Sequence, residues 1–193
     1  MIPFAALLPL AAIVYTVPSD PDEWRKLLKE GRVGEAVAAV QAAAAKGDPE
    51  ALDFLGWFHD SGTGLPYDLA KAADAYRRAA EGGNKHAQWR YGVMLDMGEG
   101  VAKDPVAAVA WFRKSADQGF TNAFTSLGVM YSQGHGVPQD HAKALQHYRE
   151  AAKRGNVHAF GEIGKIHANG EGVPVDPVEA LAWFAVGNRL QAG

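Results

Sequence analysis

The chain has 193 residues, 48% hydrophobic and 21% charged, the balance of an ordinary folded protein rather than a disordered one. A net charge of -3 with no run of Lys and Arg leaves no electrostatic footprint for DNA or RNA. The absence of cysteine excludes disulfides, thiolate metal sites, cysteine nucleophiles and lipidation at cysteine.

Residues Met1–Val17 (MIPFAALLPLAAIVYTV) carry no charged side chain, and Pro18, Ser19, Asp20, Pro21 and Asp22 break the run. A membrane anchor fits the lack of charge, although 17 residues stand at the short limit of ~17–25 for a spanning helix and Pro9 interrupts it. An export signal would want basic residues ahead of the apolar stretch and small residues at a cleavage site. An apolar arm packed on the rest of the chain or on a partner is the third reading. If the segment spans, Arg25, Lys26, Lys29 and Arg32 on its C-terminal side place the rest of the chain on the cytoplasmic face by the positive-inside rule. An export signal would place it in the periplasm instead.

Residues 18–48 read as a helical cap. Glu23–Glu30 and Val33–Lys46 form a loose pair, with Trp24, Leu27 and Leu28 on the first apolar face. From Pro49 onward, four stretches of 36 residues repeat one pattern across residues 49–192, starting at Pro49, Lys85, Thr121 and Val157. Glycine recurs at Gly56, Gly92, Gly128 and Gly164, and aspartate at Asp68, Asp104, Asp140 and Asp176. An aromatic ring recurs at Tyr76, Phe112, Tyr148 and Phe184.

Each repeat predicts a helical hairpin. Apolar spacing of three to four marks the first helix, as in Ala123, Phe124, Leu127, Met130 and Tyr131. Asp48, Asn84 and Asn156 are its caps in the first, second and fourth repeats. A Gly-x-Gly pair (Gly62/Gly64 in the first repeat) ends it, because glycine enters the left-handed region freely. The recurring aspartate caps the second helix, which explains it better than a carboxylate site does. The mid-helix glycines imply close approach of a neighbouring helix, and the aromatic rings are expected to fill the space between hairpins. At the last helix the small residues give way to Gly187, Asn188 and Gln191, so its face is either a polar cap or a docking edge.

Seven histidines prompt a search for metal or acid–base chemistry. His135, His141 and His147 are six apart, which does not place them on one helical face. His59 and His167 share a column, as do His86 and His158, and packing explains both pairs. No phosphate-binding loop, nucleophile elbow or His-Glu-x-x-His pattern occurs. The expectation is a non-enzymatic protein with no catalytic residue, cofactor or metal.

These columns resemble the Sel1-like repeat family, cousins of the tetratricopeptide repeat, most clearly in LGVMYSQGHGVPQDHAKALQHYREAAKRGN over Leu127–Asn156. The resemblance implies an all-α fold, a right-handed superhelical solenoid of helix-turn-helix repeats whose first helices line a concave surface. It also implies a scaffold or adaptor for protein partners, often in bacterial signalling or envelope assembly. The expected role is an accessory component of a bacterial membrane or envelope complex. Some relatives are cysteine-rich secreted proteins that bind or cleave β-lactams; an exported hydrolase or ligand-binding protein of that type is the alternative, although this chain has none of their cysteines.

The groove should be lined by positions of the first helices that vary between repeats: Asp53, Trp57, Trp89, Arg90, Asp96, Met97, Glu162 and Lys165. Trp57, Trp89 and Arg90 stand out because Trp and Arg are enriched at binding hot spots. Trp89 reads equally well as packing. Trp57 occupies a column held elsewhere by Val93, Val129 and Lys165. On this reading, Trp57→Ala combined with Arg90→Ala weakens partner binding and leaves helical content intact.

Overall fold

The computed structural model describes residues 20–191. The expectations for Met1–Val17 lie outside the described residues. Among the described residues there are ten helices and no strand: α1 (Pro21–Lys29), α2 (Val33–Ala44), α3 (Pro49–Ser61), α4 (Leu69–Glu81), α5 (Lys85–Met97), α6 (Pro105–Asp117), α7 (Thr121–Gln133), α8 (His141–Lys153), α9 (Val157–Asn169) and α10 (Pro177–Gln191). Each packs chiefly on its neighbours in the chain, so the array is a stack of five hairpins. Among the described residues no helix is long and apolar enough to cross a membrane.

Caps start these helices where the sequence places them. Asp48, Asn84 and Asn156 accept from the backbone N–H of Ala51, Ala87 and Ala159 at 2.9, 2.8 and 3.1 Å. Asp68, Asp104, Asp140 and Asp176 accept from Lys71, Ala107, Lys143 and Glu179 at 3.0, 2.9, 2.9 and 3.0 Å. Each such bond satisfies an otherwise orphaned donor and contributes about 0.5–2 kcal/mol. α7 departs from the pattern: Phe120 precedes it and makes no side-chain cap.

The first glycine of each Gly-x-Gly pair terminates a first helix in the left-handed region, with φ of 71°, 79°, 67° and 72° at Gly62, Gly98, Gly134 and Gly170. The second glycine has a further role that its turn alone does not reveal. A Cβ on Gly100 would stand 2.1 Å from the carbonyl oxygen of Leu69, and one on Gly136 2.3 Å from that of Pro105. These turns therefore rest directly on the second helix of the preceding repeat.

The mid-helix glycines are contact points, but the contact is internal to each hairpin. A Cβ on Gly56, Gly92, Gly128 or Gly164 would lie 2.7, 2.7, 2.5 or 2.5 Å from the ring of Tyr76, Phe112, Tyr148 or Phe184. The rings thus seat against the first helix of their own repeat. This corrects the expectation that they act chiefly between hairpins, and it follows from the helix pair closing over a column with no side chain. The core runs along the stack as overlapping clusters around Trp24, Phe58 and Tyr76, then Phe112 and Leu127, then Tyr148 and Ile163. No single centre exists, as expected of a structure in which each repeat touches only its neighbours.

Candidate functional site

The first helices α1, α3 and α5 stand side by side, and a hollow of about 560 Å³ opens across them. Its apolar wall is made by Leu28, Phe54 and Trp57. Phe54 is held in place from behind by Trp24, edge to face at 5.5 Å, and from above by the Arg25 guanidinium at 5.2 Å. Trp57 leans on Phe58 at 5.3 Å yet stays 38% exposed. A large aromatic surface left open in a concave site is the kind of feature that a partner's side chain can cover.

The polar rim is largely committed within the molecule. His86 Nδ1 lies 2.8 Å from Asp53 Oδ1. Asn84, while capping α5, also donates to Glu50 at 2.9 Å. Lys85 makes no ion pair among the described residues.

The remaining groove positions divide by what they touch. Arg90 is bonded to the Asp60 carboxylate and lies over the rings of Tyr76 and Trp89 at 5.6 and 5.8 Å. Its charge is therefore used inside the wall that joins the first two repeats, so the pairing of Arg90 with Trp57 as equivalent contacts does not follow from the geometry. Trp89 donates its Nε1–H to Ser126 Oγ at 3.1 Å and packs against Phe120, with ring centres 5.6 Å apart. Met97 is 61% exposed at the end of α5. Glu162 and Lys165 pair with each other at 2.7 Å, far along the stack from the hollow. The structure thus places Asp53 and Trp57 at one hollow and distributes the other candidates along the array.

Sequence reasoning missed a set of histidine–carboxylate pairs, one across each junction between repeats. Besides His86 with Asp53, His135 Nδ1 approaches Asp96 at 3.0 Å and His141 Nδ1 approaches Glu171 at 3.7 Å. The last two are placed for attraction but not aligned for a hydrogen bond, leaving Asp96 Oδ1 and His141 Nδ1 buried without one. Their signal was an acid and a histidine in different columns of adjacent repeats, which no single column displays. Among the described residues no three His, Asp or Glu side chains gather into a metal-binding group.

His147 behaves differently. Its ring stacks on Tyr131 at 5.5 Å and 10°, and burial, with help from the Arg113 charge, holds its pKa below the usual 6.5. Above 6.5 the ring is neutral in both states and its contribution to stability is complete. As pH falls through 6.5 and then through the lower folded value, the unfolded chain takes up a proton that the folded chain resists, and stability is lost. His147→Phe should therefore show a shallower fall in Tm than the wild type between roughly pH 7 and pH 5, read by thermal denaturation at a series of pH values. Parallel curves would remove His147 from the account.

A family model described as Sel1 repeat matches residues 49–84, 85–120, 125–156 and 162–185, more than half of the chain. The chain belongs to the Sel1 repeat family. Its fold is the right-handed α-solenoid of helix-turn-helix repeats. A Sel1 repeat protein from Oxalobacter formigenes is 30% identical, with a TM-score of 0.82 over 89% of this chain and 68% of that one. The antigen c5321, described as a protective antigen present in uropathogenic Escherichia coli strains and displaying an SLR fold, is 29% identical. Its TM-score is 0.76, and the likeness covers 87% of this chain but 40% of that one. Helicobacter pylori cysteine rich protein B, 19% identical over 64% of this chain and 93% of its own with a TM-score of 0.52, shows the fold alone. Comparison with curated proteins gave no match. Sel1 repeat proteins are in general scaffolds for protein–protein interaction, and the fold is typically non-enzymatic.

Proposed function

We propose that this Sel1 repeat protein is a non-enzymatic scaffold that grips a partner protein by an apolar side chain seated in the hollow of Leu28, Phe54 and Trp57. The observation that carries this reading is Trp57. The recurring columns are occupied by caps, turns and packing, and Arg90 and Trp89 are engaged within the stack. Trp57 keeps a large open surface, in a column where the other repeats have Val93, Val129 and Lys165.

The setting proposed for this activity is a bacterial membrane or envelope complex, with this chain as an accessory component. Met1–Val17 would serve as its tether, and the positive-inside rule favours the cytoplasmic face for the repeats. What supports the tether is the absence of charge in that segment and the cluster of Arg25, Lys26, Lys29 and Arg32 that follows it.

Trp57→Ala is the direct test. With the partner that co-purifies from native membranes, affinity should fall about 30-fold, the scale of a 2 kcal/mol hot spot, while Tm and helical content stay at wild-type values. Undiminished affinity in a correctly folded Trp57→Ala protein would overturn the assignment of the hollow.

A further inference from the structure

One helix of the array lacks its start signal although the backbone is shaped to carry it. The residue before α7 is Phe120, at the position where Asp48, Asn84 and Asn156 cap the other first helices. Its backbone, at φ -72° and ψ 115°, matches Asn84 at -65° and 116° and Asn156 at -73° and 106°. An asparagine would therefore fit and accept from the N–H of Ala123, as Asn84 accepts from Ala87. The chain forgoes that bond and places a ring there instead.

That ring extends the aromatic surface of the Trp57 hollow. Phe120 stands edge to face on His86 with ring centres 5.7 Å apart, and packs on Trp89 at 5.6 Å. His86 lines the hollow and lies 5.9 Å from Trp89, so one imidazole separates the hollow from a second aromatic surface. All three rings are half-buried, and each keeps an outward part. The charges of the rim differ in how they are used. Asp53 is bonded to His86, Glu50 accepts from Asn84, and Arg25 pairs with Asp22 at 2.8 Å. Lys85 lines the hollow, is exposed, and has no ion pair among the described residues.

We infer that Trp89 and Phe120 form a second seat, and that the partner enters both seats as a polyproline-II segment with apolar side chains three residues apart and a carboxylate over Lys85. This rests on the reading of the hollow given above. The hollow crosses α1, α3 and α5, and the second seat joins α5 to the start of α7. The two seats are thus about one helix spacing apart, roughly 8–10 Å. Polyproline II rises ~3.1 Å per residue with about three residues per turn, which brings residues i and i+3 to one side at about 9 Å. A β-strand turns i and i+3 to opposite faces, and a helix needs about seven residues to cover the distance. Aromatic grooves suit polyproline II because its backbone is already extended and loses little freedom on binding.

The carboxylate follows from the rim. A basic residue there would face Lys85 and Arg25 and find Glu50 and Asp53 already engaged. An acidic one meets a cation that has no counter-charge of its own. As an exposed pair it adds little affinity but fixes which way the segment runs. Phe120 then has a role separate from stability, and Phe120→Asn reads the two apart, because it regains the cap while removing the ring.

The test is selection of a random peptide library, about 12 residues long or roughly four polyproline-II turns, on the purified full chain. Wild type should select two apolar positions three residues apart, proline among the residues accepted, with an acidic residue at a fixed place beside them. Trp57→Ala should erase one apolar position and Phe120→Asn the other, while Lys85→Glu should exchange the acid for a base. With the best wild-type peptide, labelled for fluorescence binding, Phe120→Asn should weaken affinity at least about 10-fold. Its Tm should stay within about 4 °C of wild type, because the regained cap offsets the lost ring contacts. Phe120→Leu, apolar but uncapped, should bind within about threefold of wild type. A single apolar position, erased by Trp57→Ala alone, would overturn the second seat and leave the hollow reading standing. Two positions seven apart, wild-type binding by Phe120→Asn, or a selection that enriches nothing would also overturn the proposal. Peptide binding lost in Phe120→Asn but untouched in Trp57→Ala would overturn the hollow reading, and this proposal with it.

Discussion

Gly128→Leu should unfold the middle of the array. The glycine lies within α7, and even a Cβ there would stand 2.5 Å from Cε1 of Tyr148, whose ring is buried between α7 and α8. Helix propensity argues the other way, since a mid-helix glycine is about 1 kcal/mol worse than alanine. Overpacking of a closed core commonly costs about 1–3 kcal/mol, and leucine adds three carbons beyond the Cβ that already collides. The clash therefore wins, with a net loss of about 2 kcal/mol or more and a fall in Tm of at least roughly 4–8 °C for a chain of this size. In a stack of nearest-neighbour contacts, loss of the α7–α8 hairpin also uncouples α9 and α10 from the rest, so the melting transition should broaden. Gly34→Ala is the control. Nothing lies within 4 Å of a Cβ at Gly34 in α2, so alanine should leave Tm unchanged or raise it. An unchanged Tm in Gly128→Leu would show that the glycine–ring contact does not hold the hairpin closed.

Arg90→Ala should also reduce stability, by about 2–4 kcal/mol in chemical denaturation. The guanidinium and the Asp60 carboxylate it pairs with are each 21% exposed, and Tyr76 Oη donates to the same carboxylate at 3.4 Å. Removing the cation leaves a half-buried negative charge beside a phenol whose pKa burial already pushes up. Breaking one side of a fully buried pair costs about 3–5 kcal/mol, and partial exposure places this pair toward the lower part of that range. Arg90→Met combined with Asp60→Asn should recover part of the loss by removing both charges together. A stable Arg90→Ala protein that has lost its partner would instead make Arg90 a binding contact. Trp57→Ala and Arg90→Ala are therefore expected to separate cleanly, one changing affinity and the other changing stability.

What the sequence showed and what it hid follow from the range of the interactions. Caps such as Asp104 and helix ends such as Gly98 act within a few residues, so a strict period makes them readable. The glycine columns announced close packing, but not that the facing ring belongs to the same hairpin. Arg90 meets Asp60 and Trp89 meets Ser126 across repeat junctions, where the angle and offset of one hairpin on the next decide which columns touch. Those offsets appear in no single repeat, and the histidine–carboxylate pairs were hidden for the same reason. At the hollow, the departure of Trp57 from its column was visible beforehand. That Leu28 of the cap and Phe54 complete its wall was not.

The central claim is that the repeating columns build the solenoid and the irregular surface around Trp57 meets the partner. Site-specific photocross-linking in intact cells tests this most directly, with a photoreactive residue replacing Trp57 in one strain and the exposed Arg149 on α8 in another. The account predicts that position 57 captures a distinct protein and position 149 does not, with capture at 57 competed away by untagged wild-type chain but not by Trp57→Ala chain. Equal capture from both positions, or competition by Trp57→Ala as effective as by the wild type, would contradict it.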